Sequence, residues 1–155
     1  MENKKYVIIV LILLCSSNVL SQTLIDKSDS IRMNSISINL FGASPLIGIS
    51  YERLLTKKIS IELGIGLPNM GVGTKIFPFN YSENKLIFYS GFTITFTLIP
   101  SPLANSLVSY VPLGLGYYGE KGLIFGIDLG PGIYKEYSFS PIFIPYGNVK
   151  IGKRF

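Results

Sequence analysis

The chain has 155 residues, a length that suggests one domain. It is 48% hydrophobic but only 15% charged, against about a quarter charged in a soluble domain. Sixteen Gly and nine Pro disfavour long helices. What remains is an all-β protein with an apolar surface, or a membrane protein.

The first segment reads as an address. Lys4 and Lys5 precede the apolar run from Tyr6 to Cys15, and Ser16-Ser17-Asn18 lead into Val19-Leu20-Ser21. Basic, apolar, then small is the order of a secretory signal. Cleavage after Ser21 makes Gln22 the mature N-terminus. The apolar run is too short for a spanning helix, which needs about 20 residues. Lipidation of Cys15 is the competing reading, but Leu14 is bulky where a small residue is expected. The expected organisation is a signal peptide over 1–21, a polar lead over 22–33 and a barrel over 34–155.

From residue 34 the hydrophobic pattern has period two, the mark of strands with two unlike faces. The first strand sets Ile36, Ile38 and Leu40 against Ser35, Ser37 and Asn39. The second sets Ile47, Ile49 and Tyr51 against Gly48, Ser50 and Glu52, and the third Ile59, Ile61, Leu63 and Ile65 against Ser60, Glu62, Gly64 and Gly66. A weaker fourth spans 71–77. The fifth opposes Phe88, Phe92, Ile94, Phe96 and Leu98 to Tyr89, Gly91, Thr93, Thr95 and Thr97. The sixth opposes Val111, Leu113 and Leu115 to Gly114 and Gly116. The seventh opposes Leu123, Phe125, Ile127 and Leu129 to Gly126, Asp128 and Gly130. The eighth opposes Val149, Ile151 and Phe155 to Asn148, Lys150, Gly152 and Arg154.

Three connectors read as tight turns: 56–58, 80–85 and 119–122. The other four carry Pro45, Pro68, Pro100 with Pro102, and Pro141, because Pro cannot donate to a ladder. Pro78, Pro112, Pro131 and Pro145 fall near strand ends, Pro112 least comfortably. The expected fold is therefore all-β: a closed antiparallel transmembrane β-barrel of about eight strands in an up-and-down meander. The weak fourth and sixth strands leave eight or ten open.

Period two does not say which face is outside. The polar face is mostly Gly, Ser and Thr, which suits the crowded lumen of a small barrel better than a solvated exterior. The apolar face is expected to meet lipid. Aromatics near strand ends (Phe77, Phe79, Tyr81, Tyr117, Tyr118 and Phe155 at the turn end; Tyr110, Tyr134, Tyr137 and Phe143 at the loop end) are expected to form interfacial girdles. The alternative is a soluble periplasmic or secreted lipocalin-like barrel that turns its apolar face inward around a ligand.

The last ten residues, Tyr146 to Phe155, resemble the closing strand of the small outer-membrane barrel family, the OmpX-like and OmpA-like barrels. Val149, Ile151 and Phe155 match the alternating apolar pattern with a terminal Phe, whereas Lys153 stands where an apolar residue is usual. The run Ile49-Ser-Tyr-Glu-Arg-Leu54 before a short turn is similar to the family as well. The resemblance implies an outer-membrane location and recognition of Val149, Ile151 and Phe155 by barrel-assembly machinery.

The polar face carries few charges: Glu52, Glu62, Lys75, Asp128, Lys150 and Arg154. They are expected to form a lumen network, since buried charges persist mainly when paired. Asp128 and Lys150 lie on neighbouring strands at similar height and are expected to pair. No His is present, which removes the commonest general base and neutral metal ligand, and no serine is singled out for nucleophilic chemistry. Gly64-x-Gly66, Gly71-x-Gly73 and Gly114-x-Gly116 precede no helix, so they do not form phosphate loops. No enzyme activity, cofactor or metal is expected. The net charge of +5 is scattered, without the basic-aromatic stripe of a nucleic-acid surface. The expected partners are outer-membrane lipids, assembly machinery and a surface partner reached through 69–73, 100–109 or 135–145.

Overall fold

The computed structural model describes residues 32–67, 69–97, 106–136 and 140–155; side-chain placement is further limited to residues outside 44–46 and 97. The expected signal peptide, its cleavage site and most of the polar lead lie outside the described residues, which contain no helix.

Nine strands follow one another: β1 (Asn34–Phe41), β2 (Ser44–Thr56), β3 (Ile59–Leu67), β4 (Asn69–Ile76), β5 (Lys85–Thr97), β6 (Ser106–Tyr110), β7 (Leu113–Tyr118), β8 (Leu123–Glu136) and β9 (Ile142–Arg154). Neighbours pair antiparallel, and β1 pairs with β9. Both β6 and β7 pair with β5 on one side and β8 on the other. They are two halves of one staircase position, so the ring closes at eight. This is the expected up-and-down meander.

Proline chemistry explains the split. Pro112 has no amide to donate, so the ladder lapses at Val111 and Pro112. The Val111 amide still reaches the Pro131 carbonyl at 3.1 Å. The sixth strand thus starts earlier than its pattern suggested, at Ser106, and 106–109 is wall rather than loop. Two more prolines lie inside strands rather than at their ends: Pro131 of β8 stands directly opposite Pro145 of β9. Pro45 likewise falls within β2.

The two ends differ from the expected tight-turn and long-loop sides. At the loop end, 69–73 belongs to β4 and pairs with both β3 and β5, so it is not an external loop. The β1–β2 connection there is a tight turn at Gly42 and Ala43. Phe41 and Gly42 are left-handed, with φ of 68° and 74°, which only Gly adopts without cost. β8 and β9 shorten the 135–145 loop from both sides; 137–139 lie outside the described residues. At the turn end, the longest connector is 77–84, whose Phe77 and Tyr81 amides donate to the Lys58 and Lys57 carbonyls at 2.8 and 2.6 Å. Gly122 (φ 84°) closes the β7–β8 turn against the backbone of Arg154, where any Cβ would collide.

Side chains alternate as period two requires. Apolar side chains predominate outward at every ring position: Ile38, Ile49, Ile65, Val72, Phe92, Leu115, Ile127 and Ile151 are all exposed. Inward positions are small or polar through most of the barrel, with Ser35, Ser37, Asn39, Ser50, Ser60, Thr93 and Thr95 inside, and large and apolar only at Leu54, Ile87, Val108 and Ile124 among the aliphatic residues described.

Candidate functional site: the lumen

Inward parity brings Glu52, Glu62, Lys75, Asp128, Lys150 and Arg154 into the barrel, where each is buried. Glu52 of β2 and Glu62 of β3 are directly opposed in register, an arrangement that repels. Two lysines resolve it, one on β4 beside β3 and one on β9 beyond β1. Lys75 Nζ lies 2.9 Å from Glu52 Oε2 and 2.6 Å from Glu62 Oε2. Lys150 Nζ bonds Glu52 Oε2 and lies 3.6 Å from Glu62 Oε1. Arg154 adds a third cation, its Nη2 at 3.2 Å from Glu52 Oε1. Neutral donors complete the shell: Ser60 Oγ donates to Glu52 at 2.8 Å and Ser50 Oγ to Glu62 at 2.7 Å.

Asp128 is not part of that cluster, and the expected Asp128–Lys150 pair does not form. In register Asp128 faces Asn148, whereas Lys150 faces Gly126, one inward step nearer the turn end. Lys150 extends over Gly126, where a Cβ would stand 3.3 Å from its Cγ, and reaches Glu52. Asp128 instead accepts from Tyr89 Oη at 2.7 Å, Tyr110 Oη at 3.1 Å and Asn148 Nδ2 at 3.1 Å. Gly114 makes room for this group: a Cβ there would sit 2.6 Å from both Asp128 Cβ and Tyr89 Cζ. Six charges divide into a cluster of two carboxylates with three cations and a lone carboxylate held by neutral donors. Their formal sum is zero.

Below the cluster, Leu54, Phe77, Tyr81, Ile87, Tyr89, Tyr118 and Ile124 form a buried apolar group. Phe77, Tyr81 and Tyr118 meet edge to face at 5.0–6.2 Å between centroids, a favoured geometry for rings. The Arg154 guanidinium lies 4.3 Å from the Tyr81 ring and 4.8 Å from that of Tyr118. Burial pushes the Tyr81 hydroxyl up to about 12, so this ring meets the cation while neutral.

The expected girdles therefore need correction. Phe77, Tyr81, Tyr118 and Tyr110 are inside the barrel, whereas Phe79, Phe143 and Phe155 are exposed. Parity with Gly114 and Gly116 already marked Tyr118 as inward, and Tyr89 stood on the polar face. Parity with Gly73 and Lys75 of the expected 71–77 strand puts Phe77 on the inward face as well, whereas nothing periodic marks Tyr81, which lies on an irregular connector. Tyr137 lies outside the described residues.

At the loop end the β1–β2 turn dips inward. Ala43 is buried, Thr95 Oγ1 donates to the Gly42 carbonyl at 3.1 Å, and Gly64 and Gly71 are the register pair against which Ala43 rests. A Cβ on Gly64 would come within 2.6 Å of the Ala43 carbonyl oxygen. Those glycines, read in sequence only as small lumen positions, receive a turn.

No family model, curated protein or solved structure matches this chain. The residues of the closing strand are placed as follows: Val149, Ile151 and Phe155 point outward, as does Lys153, and the Phe155 and Asn34 backbones exchange hydrogen bonds of 2.8 and 3.2 Å that complete the β1–β9 seam. Among the described residues, no group of three or more His, Cys, Asp or Glu is placed to hold a metal ion.

Proposed function

We propose that this chain is an integral outer-membrane β-barrel with a structural or surface-interaction role, exported through a cleaved signal peptide, and neither a porin nor an enzyme. One observation carries the reading: each of the eight ring positions bears large, apolar, exposed side chains on its outward face. A soluble monomer rarely exposes a contiguous apolar patch beyond about 300–600 Å², and here the patch encircles the molecule. Closure leaves no unpaired strand edge for lipid to meet. Strands of 13 and 14 residues in β2, β5, β8 and β9 exceed the 9–11 or so that a tilted spanning strand needs.

The interior argues against transport and against a lipocalin-like carrier. An eight-stranded barrel has room inside only for side chains, and here these include ion pairs, tyrosines and an aromatic layer. An apolar ligand would have to displace Glu52, Lys75 and Lys150 from one another. The outward placement of Val149, Ile151 and Phe155 supports the likeness to OmpX-like and OmpA-like barrels and recognition by assembly machinery. Outer-membrane lipids are then the partners of the wall, and a surface partner would meet the loop end.

The test is cell fractionation followed by electrophoresis of the extracted protein, with and without boiling in SDS. Retention in outer membranes until detergent is added, with a heat-dependent mobility shift, is the expected result. Release by osmotic shock with no shift would overturn the proposal in favour of a soluble barrel.

A further inference from the structure

The two rims of the barrel carry unlike charge. At the turn end, Lys58 sits in the β2–β3 turn, Lys85 opens β5, Lys121 lies in the β7–β8 turn and Lys153 stands near the end of β9. All four are exposed. Because β2–β3, β9, β8–β7 and β5 succeed one another around the ring, these lysines form a collar rather than a patch on one side. Among the described residues none of the four has a carboxylate partner. Of the acidic residues at that end, Glu83 is taken by Arg32 at 2.9 Å, which leaves Glu120 exposed. At the loop end, the only charged side chains among the described residues are Lys135 and Glu136, one of each sign, and the sequence of 98–105 and 137–139 adds none.

The collar borders the apolar band directly. Lys153 is two residues from the outward Ile151 and pairs with the outward Leu123, and Lys85 precedes the outward Leu86. A lysine on an apolar wall extends its stem along the wall and sets its ammonium at the polar boundary. There its natural counter-charge is a headgroup phosphate of a net-negative lipid.

We propose that the turn-end lysine collar binds anionic phospholipid headgroups, so that the barrel selects negative lipids at this rim and not at the other. The inference rests on the membrane reading above. It commits to phospholipid because the charges are spread around the circumference where lipid surrounds the wall, whereas a folded protein partner would favour a one-sided patch.

The test uses the detergent-extracted protein reconstituted in phosphatidylcholine bilayers, with spin-labelled phosphatidylglycerol or phosphatidylcholine as the probe. The measurement is the ratio of their association with the barrel. A lysine near an anionic surface is worth roughly a fivefold factor, so wild-type protein should prefer phosphatidylglycerol severalfold. The preference should fall toward one at about 1 M salt, where the screening length is about 3 Å. It should also fall in the Lys58→Gln/Lys85→Gln/Lys121→Gln/Lys153→Gln variant and persist in Lys135→Gln. A wild-type ratio near one, or one that the salt or the fourfold variant leaves unchanged, overturns the collar while the membrane reading stands. The salt titration needs no variant and decides the matter even if the fourfold variant misfolds. If neither lipid is immobilised by the wild-type protein, the membrane reading fails and the collar with it.

Discussion

Glu52 and Asp128 are both buried carboxylates inside the same barrel, yet they are held in opposite ways. Glu52 is surrounded by three cations, Lys75, Lys150 and Arg154. Asp128 has two tyrosine hydroxyls and an amide. The surroundings account for the difference. Glu52 stands opposite Glu62, so neutral donors would leave two like charges side by side in a poorly screened space. Asp128 has no acidic neighbour and can be satisfied by dipoles. A buried charge thus calls for counter-charge in proportion to the charge already beside it.

The largest effect should come from removing Glu52. Glu52→Gln leaves three cations sharing one carboxylate, and breaking a buried ion pair from one side costs about 3–5 kcal/mol. The folded, slowly migrating or fast-migrating cold form on SDS gels should be lost at a lower temperature, and the urea midpoint in detergent should drop accordingly. Pairing it with Lys150→Met should recover part of the loss, because the excess cation goes as well. A double-mutant cycle reads this coupling directly. Strictly additive losses would mean that the cluster is not an electrostatic unit.

Asp128→Asn should cost less, about 1.5–3 kcal/mol, the range for hydrogen bonds to a charged group. The one carboxamide oxygen can still accept from Tyr89 and Asn148, the new NH2 faces the Tyr110 hydroxyl, which can accept from it, and no cation is stranded. Equal losses for Glu52→Gln and Asp128→Asn in the same urea titration would erase the distinction between the two sites.

A finer contrast lies in the glycines beneath them. Gly114→Ala puts a Cβ 2.6 Å from Asp128 Cβ and Tyr89 Cζ, an overpacking that costs about 1–3 kcal/mol. Gly126→Ala meets Lys150 Cγ at 3.3 Å, on a flexible stem that can give way, and the loss should be well under that. The urea midpoints of the two variants, measured side by side, check the order. The reverse order would show that Lys150 is held more rigidly than the Asp128 group.

Much of this arrangement was legible in the residues. Alternation alone assigns Glu52, Glu62, Lys75, Asp128, Lys150 and Arg154 to one face and points to an antiparallel ring of about eight strands, leaving eight or ten to the structure. Proline is the exception, because its missing donor predicts strand ends. Pro131 and Pro145 sit inside β8 and β9 facing one another, and Pro112 breaks one ring position into β6 and β7 without opening the barrel.

Sequence by itself determined which side chains share a face, since the pleat sends successive residues to opposite sides whatever their partners. It also determined that one face is apolar and the other small and polar. Only the tertiary structure decided which inward groups meet. Stagger between strands sets Lys150 against Gly126 and Asp128 against Asn148, and a shift of one inward step exchanges one partner for another. The curvature of the closed wall brings Lys75 to Glu52 from β4, two strands along, and Lys150 and Arg154 from β9 at the other end of the sequence. Phe77 keeps the inward parity of β4, but Tyr81 turns inward from an irregular connector with no period to orient it, and burial of its ring against Phe77, Tyr118 and Arg154 does so instead.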